Sequence, residues 1–135
     1  MNNASDTAAR FAQALDAEDY TIASELLSED CKYFCRGQLY VGRSAIIASY
    51  QDNGDAAKSK FENVRYESVV IGMPDCAALI NFTDHLSRQG KHITFQCEQV
   101  IEVGEDCHIT RIEHRDILGQ RDALAAFMEE ELSDC

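Results

Sequence analysis

The stretch that decides the fold spans residues 78–118 and reads ALINFTDHLSRQGKHITFQCEQVIEVGEDCHITRIEHRDIL. It divides into three runs, residues 78–88, 91–103 and 107–118, in which apolar and polar side chains alternate. This period of two is typical of β-strands with one buried face. Because the connections between the runs are short and contain glycine, we expect the three runs to form an antiparallel sheet.

The alternation places ionisable side chains on the face that carries the bulky apolar ones. Asp84 shares a face with Phe82, while His114 and Asp116 share a face with Ile112. An ionisable group on a core-facing surface is costly unless something uses it or satisfies it. We therefore predict a pocket, floored by the sheet, that contains Asp84, His114 and Asp116.

Counting outward from the two turns gives the expected neighbours across the sheet. For the turn at residues 89–90 the predicted pairs are Asp84 with Phe95, and Phe82 with Cys97. For the turn at residues 104–106, with one bulge residue allowed, the predicted pairs are Phe95 with Asp116, Cys97 with His114, and Gln99 with Ile112. In this register Thr110 lies on the inner face, and His114 and Asp116 are close enough to share a hydrogen bond.

The rest of the chain supplies helices and two further extended segments. Apolar spacing predicts helices over residues 5–17, after a cap at Asp19 (with Ile22 facing inward), from Gly42, and over 120–133. The acidic residues 16–19 end the first helix, Asn53-Gly54 interrupts the third, and extended segments are expected at 31–41, with a turn near Arg36-Gly37, and at 61–73. Since the long strands run together and the helices pack on one face, we predict a single α+β domain over residues 1–135.

Composition excludes several functional classes. The formal net charge is −12, and a field of that sign repels phosphate backbones and anionic lipids, so we expect no nucleic acid and no membrane as partner. No run of apolar residues approaches membrane-spanning length. The first six residues lack the features of a secretory signal, which favours a cytoplasmic location.

The cysteines predict neither a metal site nor disulfides. The six cysteines include no CxxC pair, and we expect reduced thiols in a reducing compartment. His114 and Asp116 could offer two metal ligands on one face, but no third ligand is assured. We therefore predict no metal and no organic cofactor.

The three ionisable residues suggest acid/base chemistry. An apolar pocket should raise the pKa of Asp84 and suit it to proton transfer near neutral pH, and Asp116 would fix the tautomer of His114. The structural alternatives are a carboxylate bonded to backbone amides or to a nearby cation (Arg36, Arg43 or Lys91), and a satisfied histidine at the wall. The predicted ligand-binding residues are Phe11, Leu15, Tyr33, Cys35, Tyr50, Tyr66, Phe82, Phe95, Cys97, Gln99 and Ile112.

Local sequence marks resemble those of the nuclear transport factor 2-like superfamily. The marks are residues 14–19, 26–30, 42–46 and 109–112. This superfamily includes ketosteroid isomerase, scytalone dehydratase, limonene epoxide hydrolase and SnoaL-like polyketide cyclases. The resemblance implies a cone-shaped, strongly bent antiparallel sheet wrapped around N-terminal helices, an apolar pocket at its open end, and a C-terminal helix similar to a pocket-covering segment.

The resemblance does not carry over the ketosteroid isomerase site. The position of its donor tyrosine is occupied by Phe11, that of its base falls at or near Cys35, and that of its second donor is Gln99. Only a supporting tyrosine has a match, at Tyr50. We therefore expect ketosteroid isomerase activity itself to be absent.

Three functions fit these patterns. The first is an acid/base enzyme (isomerase, dehydratase or cyclase type) acting on an apolar or cyclic carbonyl compound, with Asp84 as base, His114 and Gln99 as donors and Asp116 as orienter. The second is a non-catalytic module that binds a hydrophobic small molecule. The third is a protein-interaction domain with a collapsed pocket. A polar, lightly charged outer sheet face predicts a homodimer, and its residues are Asn81, Thr83, His85, Thr94, Gln96, Glu98 and Val100.

Overall fold

The structure, a computed structural model, describes residues 3–133. The elements are α1 (Asn3–Asp16), α2 (Tyr20–Glu25), β1 (Leu27–Cys35), β2 (Gln38–Val41), α3 (Arg43–Lys60), β3 (Asn63–Met73), β4 (Ala77–Arg88), β5 (Lys91–Val103), β6 (Ile109–Asp116) and α4 (Gln120–Ser133). Helices precede and follow a run of long strands, so the predicted α+β order is confirmed. No helix in this described part of the chain is long and apolar enough to cross a membrane.

The six strands form one sheet in the order β2-β1-β6-β5-β4-β3. Neighbouring strands are antiparallel except β1 and β6, which pair in parallel. The sheet is therefore mixed rather than wholly antiparallel, because β1 joins the late strands through a crossover and not through a hairpin. The three consecutive strands β4, β5 and β6 form the antiparallel meander that the alternating stretch predicts, with β3 extending it at one edge.

The β1 region departs most from the expected boundaries. Asp19 caps α2 as predicted, since its Oδ1 accepts a hydrogen bond from the Ile22 amide at 3.2 Å. Ile22 itself is 48% exposed, so its predicted inward orientation is wrong. The helix is also shorter than the apolar spacing suggested, because Leu27 is already in β1, where it is fully buried and pairs with Ile109.

Helix α3 continues without a break through residues 53–54, so the predicted interruption is wrong. The missing side chain of Gly54 explains its place there. A Cβ at this position would lie 3.3 Å from the hydroxyl of Tyr20 and 3.5 Å from that of Tyr66. Glycine at this position allows two tyrosines to approach the helix closely, although glycine has a lower helix propensity than other residues.

The register of β4 with β5 is as predicted, with Asp84 opposite Phe95. The predicted register of β5 with β6 is wrong by two residues. The observed pairs are Cys97 with Asp116, Gln99 with His114, and Ile101 with Ile112. The cause is a connection over residues 104–108, two residues longer than the predicted turn; the one bulge that the prediction allowed is present, at Thr110. The bulge leaves Thr110 exposed and lets both Ile109 and Ile112 face the core.

Helix α4 covers the part of the sheet that β6 does not reach. Because β6 ends at Asp116, opposite Cys97, the amide of Gln96 has no β6 partner and instead donates to Oε1 of Gln120 at 2.9 Å. Farther along α4, Phe127 stacks on Phe61 at the end of α3, with ring centroids 6.4 Å apart. These contacts hold α4 over the inner face of the sheet.

Candidate active site

A cavity of about 570 Å³ lies between the inner face of the sheet and helices α1, α3 and α4. Its volume is in the range of small-molecule pockets. The open cavity contradicts the collapsed pocket that the protein-interaction alternative assumed. The lining residues are Leu15, Asp16, Tyr20, Tyr33, Cys35, Arg36, Tyr50, Asn53, Gly54, Ala56, Ala57, Lys60, Phe61, Tyr66, Phe82, Asp84, Leu86, Phe95, Cys97, Gln99, His114, Arg121, Leu124, Ala125 and Met128.

Most of the predicted site residues line this cavity, and three do not. Phe11 is fully buried behind the wall, where it packs edge-on against Tyr50. Ile112 is also fully buried, because the shifted register places it beside Ile101 in the core. Asp116 lies beyond His114 at the end of β6 and does not reach the cavity lining. Whether the lining residues bind a ligand stays a prediction.

Asp84 faces the cavity without a hydrogen-bond partner. Among the described residues none donates to its carboxylate, since Arg36 is bonded to Asp116 and Arg43 to the carbonyl of Leu27. Burial raises the pKa of Asp84 from 3.8 to about 6, with a further rise from the charge of Asp16. A carboxyl with that pKa exchanges its proton near neutral pH, which is the property a general base needs.

Asp16 is a second carboxylate at the same end of the cavity. It lies at the end of α1, and its Oδ2 accepts a hydrogen bond of 2.7 Å from the hydroxyl of Ser68. Burial raises the pKa of Asp16, and the Ser68 hydrogen bond opposes that rise. Ser68 is two residues from Tyr66, which pairs with Asp84, so the two carboxylates share one region of the wall.

The Tyr66 hydroxyl is a second unsatisfied group at this end. Within the part of the chain that the structure describes, its oxygen is buried and has no hydrogen-bond partner. Burial raises the pKa of Tyr66 to about 12, and the charge of Asp84 adds to the rise. We define the Asp84 end of the cavity as Asp16, Tyr66 and Asp84.

The other end of the cavity is a connected hydrogen-bond network. His114 Nε2 lies 2.9 Å from Oδ1 of Asp116, and His114 Nδ1 lies 3.3 Å from Nε2 of Gln99. The Gln99 amide also donates to the Tyr33 hydroxyl at 3.1 Å and accepts from the Tyr50 hydroxyl at 2.6 Å. We define the Gln99 end as Tyr33, Tyr50, Gln99 and His114.

This geometry fixes the tautomer of His114. An amide nitrogen only donates, so Nδ1 of His114 must accept the hydrogen bond from Gln99. The ring proton of the neutral imidazole then lies on Nε2, where Asp116 accepts it. The predicted hydrogen bond between His114 and Asp116 is present, but it engages the proton that the predicted donor role of His114 requires.

Asp116 is held on its other side by Arg36. The guanidinium donates from Nε to Oδ2 at 2.9 Å and from Nη2 to Oδ1 at 2.7 Å. These bonds, followed by that of His114, hold the pKa of Asp116 well below its usual range. Arg121 of α4 approaches the same carboxylate, with Nη1 4.0 Å from Oδ2. Asp116 is therefore a fixed anion that orients His114 from outside the cavity.

Aromatic rings hold the Gln99 end in place. The rings of Tyr33 and Tyr50 stack almost in parallel with their centroids 5.3 Å apart. The ring of Tyr40 also stacks on that of Tyr33, with centroids 5.6 Å apart. Burial raises the pKa of both Tyr33 and Tyr50, so their phenols keep their protons. Cys97, between the two ends, also remains a thiol, because burial and the charge of Asp84 raise its pKa to about 12.

Sequence reasoning missed several cavity residues. Asp16 belongs to an acidic run that predicts the end of a helix. Asn53-Gly54 predicted a break in the third helix, whereas both residues line the cavity. Arg121 lies on the helix that was expected to cover the pocket, so its position on that helix was the available signal. No group of three or more potential metal ligands occurs among the described residues.

Comparison with known proteins identifies the fold. No protein-family model matches the sequence, and no curated protein is significantly similar to it. An LEH-like epoxide hydrolase from M. tuberculosis superposes with a TM-score of 0.68 at 20% identity, over 98% of this chain and 97% of that chain. Another M. tuberculosis protein, solved in complex with estradiol-17β-hemisuccinate, gives 0.66 at 14% identity over 89% and 98%.

An NTF2-like protein from an Exiguobacterium species aligns as well, with a TM-score of 0.61 at 12% identity over 83% of this chain and 98% of that one. Identities this low report on architecture alone. They match the predicted cone of a bent sheet around N-terminal helices, here with an added C-terminal helix. The chain therefore has the nuclear transport factor 2-like fold, as its sequence resemblance predicts.

Proposed function

We propose that this protein is an acid/base enzyme that needs no cofactor and acts on an apolar or cyclic carbonyl compound. Asp84 is the base that removes a proton from the carbon next to the carbonyl. As the proton leaves, negative charge develops on the carbonyl oxygen. The reaction class is isomerisation, dehydration or cyclisation, each of which begins with such a proton transfer.

The observation that carries this proposal is the state of Asp84. A carboxylate that were only structural would have donors, whereas none of the described residues donates to this one, and its pKa is about 6. Leaving a buried polar group without a partner costs stability, so such a group is more often found where function requires it. Tyr66 beside it is unsatisfied as well.

The size and wall of the cavity support the substrate class. Phe61, Phe82 and Phe95 supply apolar area between the two ends, and the cavity of about 570 Å³ accommodates a ring-bearing molecule. Two proteins of the same fold carry related descriptions, one as an epoxide hydrolase and one with a bound estradiol derivative. These descriptions favour a small apolar ligand without identifying it.

Deuterium exchange tests the proposal without knowledge of the natural substrate. A panel of cyclic ketones is incubated with the protein in D₂O, and deuterium at the carbon next to the carbonyl is followed by NMR. We expect catalysed exchange in the wild type, and a loss of about 100-fold or more in Asp84→Asn, since general-base catalysis contributes about 10²–10⁴-fold. Glu98→Gln, on the outer sheet face, is the matched control and should exchange like the wild type. Equal rates in Asp84→Asn and wild type would refute the role of Asp84.

A non-catalytic binding module is the second candidate, and the Gln99 end favours it. All four side chains there are hydrogen-bonded within the protein, as expected of a rigid wall. A binding module would hold the same ketones, detected by saturation-transfer NMR, without any exchange. Binding would then survive Asp84→Asn.

We also propose a symmetric homodimer through the outer sheet face. Beside the polar residues predicted there, Val69 and Ile71 of β3 are 60% and 52% exposed, and Ile71 continues across the sheet through Leu79 to Val100. An exposed apolar row of this kind favours an interface. Analytical ultracentrifugation should give twice the chain mass, and Ile71→Glu should shift the protein to monomer.

A further inference from the structure

We propose that the cavity selects compounds that carry a carboxylate, and that Arg121 together with Arg36 binds this group at the cavity rim. The inference deepens the proposed function by naming an acidic member of its substrate class. It rests on that function only in that the bound compound is the one on which Asp84 acts.

Basic residues are concentrated in the cavity wall of an acidic protein. The chain has 12 Lys and Arg residues and 24 Asp and Glu residues. Three of the basic residues line the cavity, namely Arg36, Lys60 and Arg121. Within the part of the chain that the structure describes, the acidic residues of the lining are Asp16 and Asp84. The wall therefore reverses the charge balance of the whole molecule and attracts anions that the remaining surface repels.

Two guanidinium groups share one carboxylate at this wall. Arg36 donates from Nε and Nη2 to Asp116 at 2.9 and 2.7 Å, and Nη1 of Arg121 lies 4.0 Å from the same carboxylate. Among the described residues, Asp116 is the one carboxylate within ion-pair distance of these two arginines. It compensates one of the two positive charges, and the monoanionic carboxylate of a ligand would compensate the other.

Both guanidinium groups keep donors for a ligand. A guanidinium presents more N–H groups than one carboxylate can accept, and its planar fork matches a carboxylate. Asp116 uses one edge of Arg36 and leaves Nη1 for a second acceptor. Arg121 is less engaged still, because its distance of 4.0 Å from Asp116 is too long for a hydrogen bond.

The local structure places both arginines at the rim of the cavity. Arg36 lies in the turn between β1 and β2, and Arg121 lies in the first turn of α4. The start of α4 is fixed because Oε1 of Gln120 accepts a hydrogen bond of 2.9 Å from the amide of Gln96. Each arginine lines the cavity and is also partly exposed, with 39% of the Arg36 side chain and 63% of the Arg121 side chain accessible.

The distance of the rim from Asp84 fits an acidic group that is remote from the reacting carbon. Asp84 lies opposite Phe95 and Asp116 opposite Cys97, which corresponds to roughly 12 Å between the backbone positions of the two aspartates. Burial is the main cause of the raised pKa of Cys97; the charge of Asp84 adds to it and that of Arg36 opposes it, so both charges lie near this thiol. A substrate that reaches both groups therefore spans less than the backbone distance, as does a two-ring ketone with a carboxylate on the ring remote from the carbonyl.

Two bicyclic ketones that differ in one group test the inference. The probes are 1-tetralone-6-carboxylate and the corresponding neutral carboxamide, which has nearly the same shape. Their affinities are measured by isothermal titration calorimetry at neutral pH with the wild type, Arg121→Gln and Arg115→Gln. Arg115→Gln is the matched control, because Arg115 is exposed on β6, bonds to Glu113 at 3.3 Å and does not line the cavity.

We expect the wild type to bind the carboxylate more tightly than the carboxamide by about 10-fold, although the net charge of the chain is −12. Arg121→Gln should weaken carboxylate binding by about 5- to 20-fold, the effect of losing a partly exposed hydrogen bond to a charged group, and change carboxamide binding by less than about 2-fold. Arg115→Gln removes the same charge away from the cavity and should change both affinities by less than about 2-fold.

Two results of the titrations would overturn the inference. The first is equal binding of the two ketones by the wild type, and the second is an equal loss of both affinities in Arg121→Gln. Either result would mean that the rim does not recognise the acidic group.

Deuterium exchange of the same ketones separates this failure from that of the proposed function. Exchange of the carboxamide in D₂O reports on Asp84 alone, because this ketone has no acidic group. Carboxylate-selective binding without exchange of either ketone would support the inference and refute the enzymatic role of Asp84. If neither ketone binds, the cavity is not a site for such compounds, and the inference fails together with the proposed function.

Discussion

The two ends of the cavity differ in how completely their polar groups are satisfied. At the Gln99 end, each polar side chain has a partner within hydrogen-bond distance, and Arg36 and Asp116 extend the network outside the cavity. At the Asp84 end, Asp84 and the Tyr66 hydroxyl have no hydrogen-bond partner among the described residues. Both ends lie on one sheet and face one cavity.

This difference separates two kinds of polar residue in a partly buried site. A satisfied network contributes stability and fixes geometry, because removing any member leaves the others without partners. An unsatisfied carboxylate contributes negatively to stability in the ionised form, and its raised pKa records that cost. The contrast predicts that substitutions at the two ends change stability in opposite directions.

Gln99→Leu should have the largest effect. Leucine has a similar size but leaves the Tyr50 hydroxyl without its acceptor and deprives Tyr33 and His114 of a donor. Since each buried unsatisfied group costs about 1–3 kcal/mol, we expect the free energy of unfolding to fall by about 3 kcal/mol. Urea unfolding at neutral pH measures it.

Gln13→Leu on α1 is the matched control, because Gln13 is exposed and its change should stay within about 0.5 kcal/mol. A loss below about 1 kcal/mol in Gln99→Leu would mean that water replaces the amide at little cost. The two ends would then not differ in the way described.

Asp84→Asn should stabilise the protein above about pH 4, and by the full amount above the folded-state pKa of Asp84. The pKa of Asp84 is about 6 in the folded protein, against an ordinary value of 3.8 that applies to the unfolded chain. The folded state therefore binds more protons than the unfolded state between these two pH values. Wild-type stability therefore falls as pH rises from about 4 to about 6, and the full penalty persists above that range. Removing it should gain about 2 kcal/mol at about pH 7.5 and almost nothing at about pH 4.

Asp116→Asn supplies the contrast in sign. Arg36 holds the pKa of Asp116 below its usual range, so the ionised form stabilises the folded state at neutral pH. Its replacement should cost up to about 1 kcal/mol there, since the pair is partly exposed. Urea unfolding of both variants at the two pH values checks the signs, and a destabilised Asp84→Asn at neutral pH would indicate a hidden partner of Asp84.

Regular periodicity made much of this architecture predictable. The bounds of β5 and α4 agree with the expected 91–103 and 120–133, because alternation and helical spacing are unbroken in both. Asp84 and His114 were found because charged residues occurred in phase with apolar ones on a strand. Local pattern suffices where one face of an element is buried throughout.

The rest depended on features that a local pattern does not contain. The register of β6 differs by two residues because the connection before it is two residues longer than the turn that the local sequence indicates. Asp16 lines the cavity and accepts a hydrogen bond from Ser68, 52 positions later, a contact that no local pattern contains. The engagement of His114 with Asp116 was foreseeable, but the acceptor role of its Nδ1 depends on the correct pairing with Gln99.

The smallest expected effect concerns a single proton. We expect neutral His114 to carry its proton on Nε2, because Gln99 donates to Nδ1 and Asp116 accepts from Nε2. Two-bond ¹⁵N–¹H spectra above the usual titration range of histidine distinguish the two tautomers.

Gln99→Glu makes this test sharper, since a carboxylate accepts where the amide donates. The carboxylate should favour uptake of a proton from solvent at Nδ1 and so hold His114 as the doubly protonated imidazolium between two carboxylates. A proton on Nδ1 in the wild type would instead require the Gln99 amide to be reversed, with its nitrogen toward Tyr50. Tyr33 would then lose its donor and would have to give its own proton to the amide oxygen. The polar groups of the Gln99 end would still be satisfied in this reversed arrangement and the unsatisfied state of Asp84 would be unchanged, so this one proton reports the direction of the hydrogen-bond network and not the difference between the two ends.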